Sequence, residues 1–221
     1  MNSRTVGPFA ALSGVVPAVQ RHGPWLGRLQ LSVRFADEAE TAVMYTPPAL
    51  ARELRKVGGR APFHSIVFGG RDVLADAAFI SDALERAAMA LPVLLDTDGQ
   101  RPEALATVVA RVSLVQICAR GSEPEAVVDR IVATLTAAAG AGREHALVLT
   151  VGHDASDAQT LRLVERVATA SASTLLVLHP ETVPADGPTL DSRWTMLLER
   201  ASALLADTRL LTPLAVPSTR R

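Results

Sequence analysis

Leu114-Val115-Gln116-Ile117-Cys118, then Ser122-Glu123-Pro124-Glu125 opening a run to about Ala139, then Ala146-Leu147-Val148-Leu149-Thr150-Val151: a short apolar segment, a helical segment and a second apolar segment follow one another. The middle piece combines the Ser-x-x-Glu spacing of a capping box with a proline suited to a first helical turn. The flanking pieces are near-continuously apolar, as strands buried on both faces are. Going upstream, the same alternation repeats. Pro92-Val93-Leu94-Leu95 reads as a strand, followed by the turn Asp96-Thr97-Asp98-Gly99 and a helix over about 102–110. Ser65-Ile66-Val67-Phe68 reads as another, ended by Gly69-Gly70, with helical spacing over 77–90. Leu29-Gln30-Leu31-Ser32-Val33-Arg34-Phe35 alternates at period two, and Pro47-Pro48 starts a helix that runs to about Val57 and is closed by Gly58-Gly59. Downstream come a helix near 156–170 with Asp154 as cap, the strand Thr174-Leu175-Leu176-Val177-Leu178 and a helix over roughly 189–206. Five or six strand-helix units predict an α/β fold with a parallel sheet covered by helices. Periodicity leaves open whether the sheet closes.

Composition bounds the rest. The 221 residues suit one domain spanning 1–221, with 1–28 as an N-terminal loop or extension and 217–221 as a polar, mobile tail. Apolar residues make up 48% and charged residues 20%, which excludes disorder over most of the length. A net charge of -1 gives no electrostatic case for nucleic acid. No apolar run is long enough to span a membrane, and the first twenty residues lack the pattern of a signal peptide, so a cytoplasmic location is expected. The single cysteine, Cys118, allows no disulfide framework.

Ligands of parallel α/β sheets gather beyond the C-terminal ends of the strands. That rule selects Gly69-Gly70-Arg71-Asp72, Asp96-Thr97-Asp98-Gly99, Arg120-Gly121, Gly152-His153-Asp154 and His179-Pro180-Glu181. Each also has a plain structural reading. The Gly pair makes a tight turn; Asp96 and Asp98 either pair their carboxylates on a divalent metal or serve as cap and turn residues. His153 and His179 each lack a second ligand at i+2 to i+4, and His22, His64 and His145 are no better, so no metal site is expected. Cys118 is either a small core residue or a nucleophile. There is no G-x-S-x-G, P-loop or G-x-G-x-x-G.

The order of these segments resembles a known family over nearly the whole chain. Gln20-Arg21-His22-Gly23-Pro24-Trp25-Leu26-Gly27-Arg28, followed by Ser32-Val33-Arg34-Phe35, is similar to the substrate loop and first strand of 7-carboxy-7-deazaguanine synthase, a radical S-adenosylmethionine enzyme. Tyr45-Thr46-Pro47-Pro48 resembles the tail of that family's three-cysteine loop, which makes Thr46 a Mg candidate by that resemblance. Phe68-Gly69-Gly70-Arg71-Asp72-Val73-Leu74 is similar to its S-adenosylmethionine-binding segment, and Asp96-Thr97-Asp98-Gly99 to its Glu-Thr-Asn-Gly turn. Ile117-Cys118-Ala119-Arg120, Leu178-His179-Pro180-Glu181 and 208–214 fall where later family segments would. The resemblance implies a partial (β/α) barrel of about six parallel strands, with a pocket drawn from Gln20, His22, Gly23, Gly69, Gly70, Arg71, Asp96, Asp98, Arg120 and His179.

The departures are chemical. The three cluster positions hold Glu38, Ala42 and Tyr45 in one register, and Asp37, Thr41 and Met44 in the other. Arg71 replaces a glutamate that would meet a positive amino group. The family's Lys is Arg120, and its Gly-Glu in the substrate loop is Arg21-His22. The expectation is therefore a relative without a 4Fe-4S cluster or other cofactor, in which S-adenosylmethionine binding is doubtful. One role is a non-catalytic binding module for a purine- or pterin-like ligand, or a partner of an active biosynthetic enzyme. An alternative is non-radical acid-base chemistry using His22, Asp96 or Asp98; another is a ligand unrelated to purines or pterins. A homodimer is an option too, because Val6 to Val19 is apolar enough to cover a neighbour.

Overall fold

Alternating residues of a strand face opposite sides of a sheet, and in this chain the two sides differ in kind. The structure, a computed structural model, describes residues 8–38, 40–152, 155–181 and 192–211. Their nine strands form one sheet, in the order β3-β1-β2-β4-β5-β6-β7-β8-β9. The six strands expected from the sequence are β2 (Leu29–Phe35), β4 (Ser65–Gly70), β5 (Val93–Thr97), β6 (Leu114–Arg120), β7 (Glu144–Val151) and β8 (Leu175–Pro180). All six are parallel, and β9 (Thr208–Leu210) adds a parallel seventh beside β8. The edge strands β3 (Val43–Tyr45) and β9 do not pair with each other, so the sheet formed by the described residues is open. This is the α/β partial barrel that the segment order implies.

One side of the sheet is apolar and covered by helices. Leu31, Val33, Phe35, Ile66, Phe68, Val93 and Leu95 pack against α1 (Pro47–Gly58) and α2 (Ala77–Ala87). Ile117, Leu147, Leu149, Val151, Leu176 and Leu178 pack against α4 (Glu125–Gly140), α5 (Asp157–Ala170) and α6 (Ser192–Ser202). Burial of these aliphatic groups, at about 25 cal/mol per Å² of apolar surface removed from water, is the main drive for helices to dock on the sheet. The other, inner side carries polar residues at alternate positions: Gln30 and Ser65 bond to each other at 2.9 Å, and Asp96 stands beside Gln116 in the register of β5 and β6. No helix among the described residues is long and apolar enough to cross a membrane.

Several boundaries differ from expectation. Residues 10–19, read as part of a loop or extension, form β1 (Ala10–Val19), antiparallel to β2 along nearly its whole length and to β3 through Ala10–Leu12. The helix expected over 102–110 is only α3 (Pro102–Leu105), followed by a 3-10 turn at Val109–Arg111. The β-branched Thr107-Val108-Val109 run disfavours continuing it. α4 starts at Glu125 instead of after Ser122, because Glu123 turns back to accept the backbone N–H of Arg120 at 2.9 Å. His153, Asp154 and the 217–221 tail lie outside the described residues, as does the 189–191 start of the last helix.

Candidate functional site

Asp96, Gln116 and Cys118 project from the inner side of β5 and β6, and His22 reaches them from the turn between β1 and β2. The Cys118 thiol donates to Asp96 Oδ1 at 3.1 Å, and Gln116 Nε2 donates to the same oxygen at 3.2 Å. His22 Nε2 lies 3.5 Å from Cys118 Sγ and 3.8 Å from Asp96 Oδ2. Gln116 is fully buried, whereas His22 and Asp96 keep side-chain exposures of 33% and 27%, so the group opens to solvent on one side. Burial, and then the charge and hydrogen bond of Asp96, hold the thiol well above its ordinary value of 9.0. In the metal-free protein the raised pKa favours the thiol, which donates to Asp96, so Cys118 is both part of the sheet's inner face and a hydrogen-bonding member of this group.

The 20–28 turn is fixed from both ends. Gln20 N donates to Arg28 O at 3.0 Å and Gly27 N to Gln20 O at 2.9 Å, closing the hairpin. Gln20 Nε2 then donates to the His22 carbonyl at 2.7 Å and to Gln116 Oε1 at 3.5 Å. Gly23, at φ +82°, lies so close to the sheet that a Cβ would fall 1.8 Å from Gln116 Oε1. Trp25 packs on the inner apolar patch of Leu94, Leu114 and Ala146, edge-on to His64 at 5.0 Å between centroids. Since β1 runs antiparallel to β2, this turn sits at the N-terminal rim of the parallel strands. From there it reaches across the inner face, so that His22 meets Asp96, Cys118 and His179 in the C-terminal halves of β5, β6 and β8.

Sequence-selected residues separate into two regions. Gln20, His22, Gly23 and Asp96 come together, with Gly69 beside them: a Cβ there would lie 3.4 Å from that of Asp96. His179, at the end of β8, has its ring 6.4 Å from that of His22; desolvation, and then the charge of His22, lower its pKa from 6.5. Gly70 is a glycine for structural reasons, since at φ +104° its Cβ would meet Phe35 O at 2.3 Å. The others point away. Arg71 is exposed and paired with Glu38 at 2.7 Å. Asp98 bonds within its own turn, to Gln100 N at 3.0 Å, which matches its turn reading. Both line a groove of about 600 Å³ on the C-terminal rim, with Arg101 and Arg130. Arg120 is exposed and 4.0 Å from Glu181. Thr46 caps α1, accepting from Ala49 N at 3.3 Å. Gln116 was not selected, although an amide inside an apolar strand is itself a signal: buried, it must find partners.

The segment that would carry cluster thiolates is built from charge pairs instead. Arg34 binds Glu40 at 3.0 Å and lies 3.9 Å from Asp37, while Glu38 holds Arg71. Val43 and Met44 face solvent at 58% and 61% exposure. An iron-sulfur cluster requires three or four thiolates, and these residues do not fit one.

No family model matches the chain, and no curated protein does. Among solved structures, a phospho-2-dehydro-3-deoxyheptonate aldolase from Thermotoga maritima overlaps at a TM-score of 0.35 and 13% identity, over 80% of this chain and 62% of that one, too loosely to bear on the fold. QueE from Escherichia coli superposes at a TM-score of 0.56 with 11% identity, covering 91% of this chain and 92% of QueE. At that identity the likeness concerns architecture alone: the chain has a QueE-like α/β fold, in line with the resemblance read from its segments.

Proposed function

We propose that this chain is a cluster-less relative of 7-carboxy-7-deazaguanine synthase that binds a small polar heterocycle, purine- or pterin-like, on the inner face of its sheet without radical chemistry. It acts as a binding module or as a partner of an active enzyme in a deazapurine or related pathway. The observation that carries the reading is a contrast inside one fold: the inner face keeps a connected row of hydrogen-bonding groups, Gln20, Gln116, Asp96 and His22, while the segment beside β3 has charge pairs where thiolates would be. A donor-acceptor row beside the Trp25 ring suits a flat heterocycle with ring nitrogens and exocyclic oxygens. Anaerobic treatment with iron and sulfide should leave the protein colourless, and S-adenosylmethionine should not be cleaved. A thermal-shift panel of deazapurines, pterins and nucleotides tests the ligand class: a binder at about 100 times its Kd adds about 2.7 kcal/mol of apparent stability. No response to any member of the panel overturns the heterocycle.

A second reading, acid-base catalysis, is favoured by the 3.8 Å approach of His22 Nε2 to Asp96 Oδ2. His22→Gln separates the two. Loss of turnover at retained affinity supports catalysis; a change in affinity alone supports binding.

A further inference from the structure

We infer that His22, Asp96 and Cys118 form a three-ligand site for a tetrahedral transition-metal ion, Zn²⁺ by its chemistry, with a fourth position open to water. The three donors come from three separate elements, the β1-β2 turn, β5 and β6, yet converge: Sγ to Oδ1 is 3.1 Å, Sγ to Nε2 is 3.5 Å and Nε2 to Oδ2 is 3.8 Å. Tetrahedral zinc, with bonds of about 2.3 Å to sulfur and about 2.0–2.1 Å to nitrogen or oxygen, spaces its ligand atoms by about 3.3–3.6 Å. The Sγ–Nε2 separation falls in that range, and the two distances to Asp96, made to different carboxylate oxygens, lie just below and just above it, with one donor atom of each residue within 4.8 Å of the others; a small rotation of the carboxylate would present one oxygen to the ion. The donor set is mixed thiol, imidazole and carboxylate, which selects zinc or cobalt over the oxygen-seeking Mg²⁺ and Ca²⁺.

Outer contacts are also those that a metal site needs. Gln116 Nε2 steadies Asp96 at 3.2 Å and lies 3.6 Å from the Cys118 sulfur, and Gln20 fixes the turn that carries His22 through its carbonyl. Such orienting partners around ligating groups commonly matter by a factor of ten to a hundred in affinity. Three protein ligands with solvent reaching one side is the arrangement of zinc sites that keep an exchangeable position. His179 stands near that group, 6.4 Å from His22 by ring centroids. Spacing along the sequence hid this site, because its ligands are 74 and 22 residues apart (22 to 96, 96 to 118) instead of three or four.

The inference shares its location with the proposed ligand face but not its test. Full-length protein, stripped with chelator, is titrated with Co²⁺ and then displaced with Zn²⁺. The expected result is one equivalent bound, with the intense visible bands of four-coordinate cobalt and a thiolate-to-cobalt charge-transfer band that zinc abolishes. Cys118→Ser removes the charge-transfer band, Asp96→Asn and His22→Gln weaken binding beyond detection, and Gln116→Leu weakens it by about tenfold or more. Circular dichroism confirms that each variant is folded, and Cys118→Ala serves where Cys118→Ser is not. Cobalt bands that persist without Cys118, or no stoichiometric metal on folded wild-type protein, overturn the site. Heterocycle binding by metal-free protein would leave the ligand proposal standing without it; metal uptake with no heterocycle response would do the reverse.

Discussion

Gly23 and Gln116 show how much one residue's conformation carries. Gly23 sits at positive φ and presses on a buried amide, so Gly23→Ala meets two separate obstacles, a backbone region that alanine avoids and a collision 1.8 Å from Gln116 Oε1. Stability should fall by about 1–3 kcal/mol in urea unfolding. Adding Gln116→Ala should relieve the collision but not the backbone strain, so the double variant recovers only part of the loss that the two single changes would sum to. A second residue offers a pH test away from the site. Desolvation, and then the neighbouring charge of Asp72, raise the pKa of Asp76 from its ordinary 3.8, and no hydrogen bond makes its side chain a cap for α2. A raised folded pKa contributes stability that is complete below the unfolded value and is lost as pH rises through the folded one. At neutral pH the Asp76 charge is thus a net burden. Asp76→Asn should raise the urea midpoint at pH 7, and the gain should vanish below the ordinary carboxylate pKa; an equal gain at both pH values would contradict the assignment.

At the scale of elements, α1 is the clearest match between local sequence and structure. Pro47-Pro48 fills its first positions, Thr46 caps it and Arg55-Lys56 occupies its last turn. Thr46→Ala removes the acceptor for Ala49 N and should cost about 1 kcal/mol, measured by chemical denaturation, without affecting any ligand of the inner face. Five of the six central strands were legible as short apolar runs bounded by turn residues, and β2 by its period-two alternation. β1 was not, and its residues say why. Gly14 interrupts it at a register shift, and Pro17 lacks the N–H expected of a strand interior. Pro17 is tolerated since β3 pairs only with Ala10–Leu12, leaving the rest of β1 without a strand partner on that side among the described residues. The site was half legible for a related reason. Asp96 and His22 stand out as titratable residues next to turns, while Gln116 and Cys118 are embedded in β6, where an apolar neighbourhood masks them. Arg71 and Asp98 share the rim after β4 and β5, but Arg71 turns outward to Glu38 and Asp98 to its own turn, which their position after a strand does not reveal.

Across the whole molecule, the sheet has a helix-covered side and a side closed in part by its own N-terminal hairpin. Trp25 is the largest group that the hairpin lays on the inner patch of Leu94, Leu114 and Ala146. Trp25→Ala should therefore cost about 2–3 kcal/mol, below or at the low end of the range for a fully buried tryptophan because this ring is partly exposed, and should loosen the turn; an unchanged midpoint would mean that the hairpin is held by its backbone bonds alone. The β1-β2 turn also has kinetic meaning. Residue 22 is separated from residues 96 and 118 by 74 and 96 positions of the 221-residue chain, so the inner-face group exists only while the hairpin is docked. Hairpin opening is a local event that need not disturb the helix-covered core. Whatever binds His22 together with the sheet must then suppress that opening, and the amide protons of Gln20, Gly27 and Arg28, which close the turn, would report occupancy by slower exchange with deuterium while the amides of α4 and β7 keep their rates.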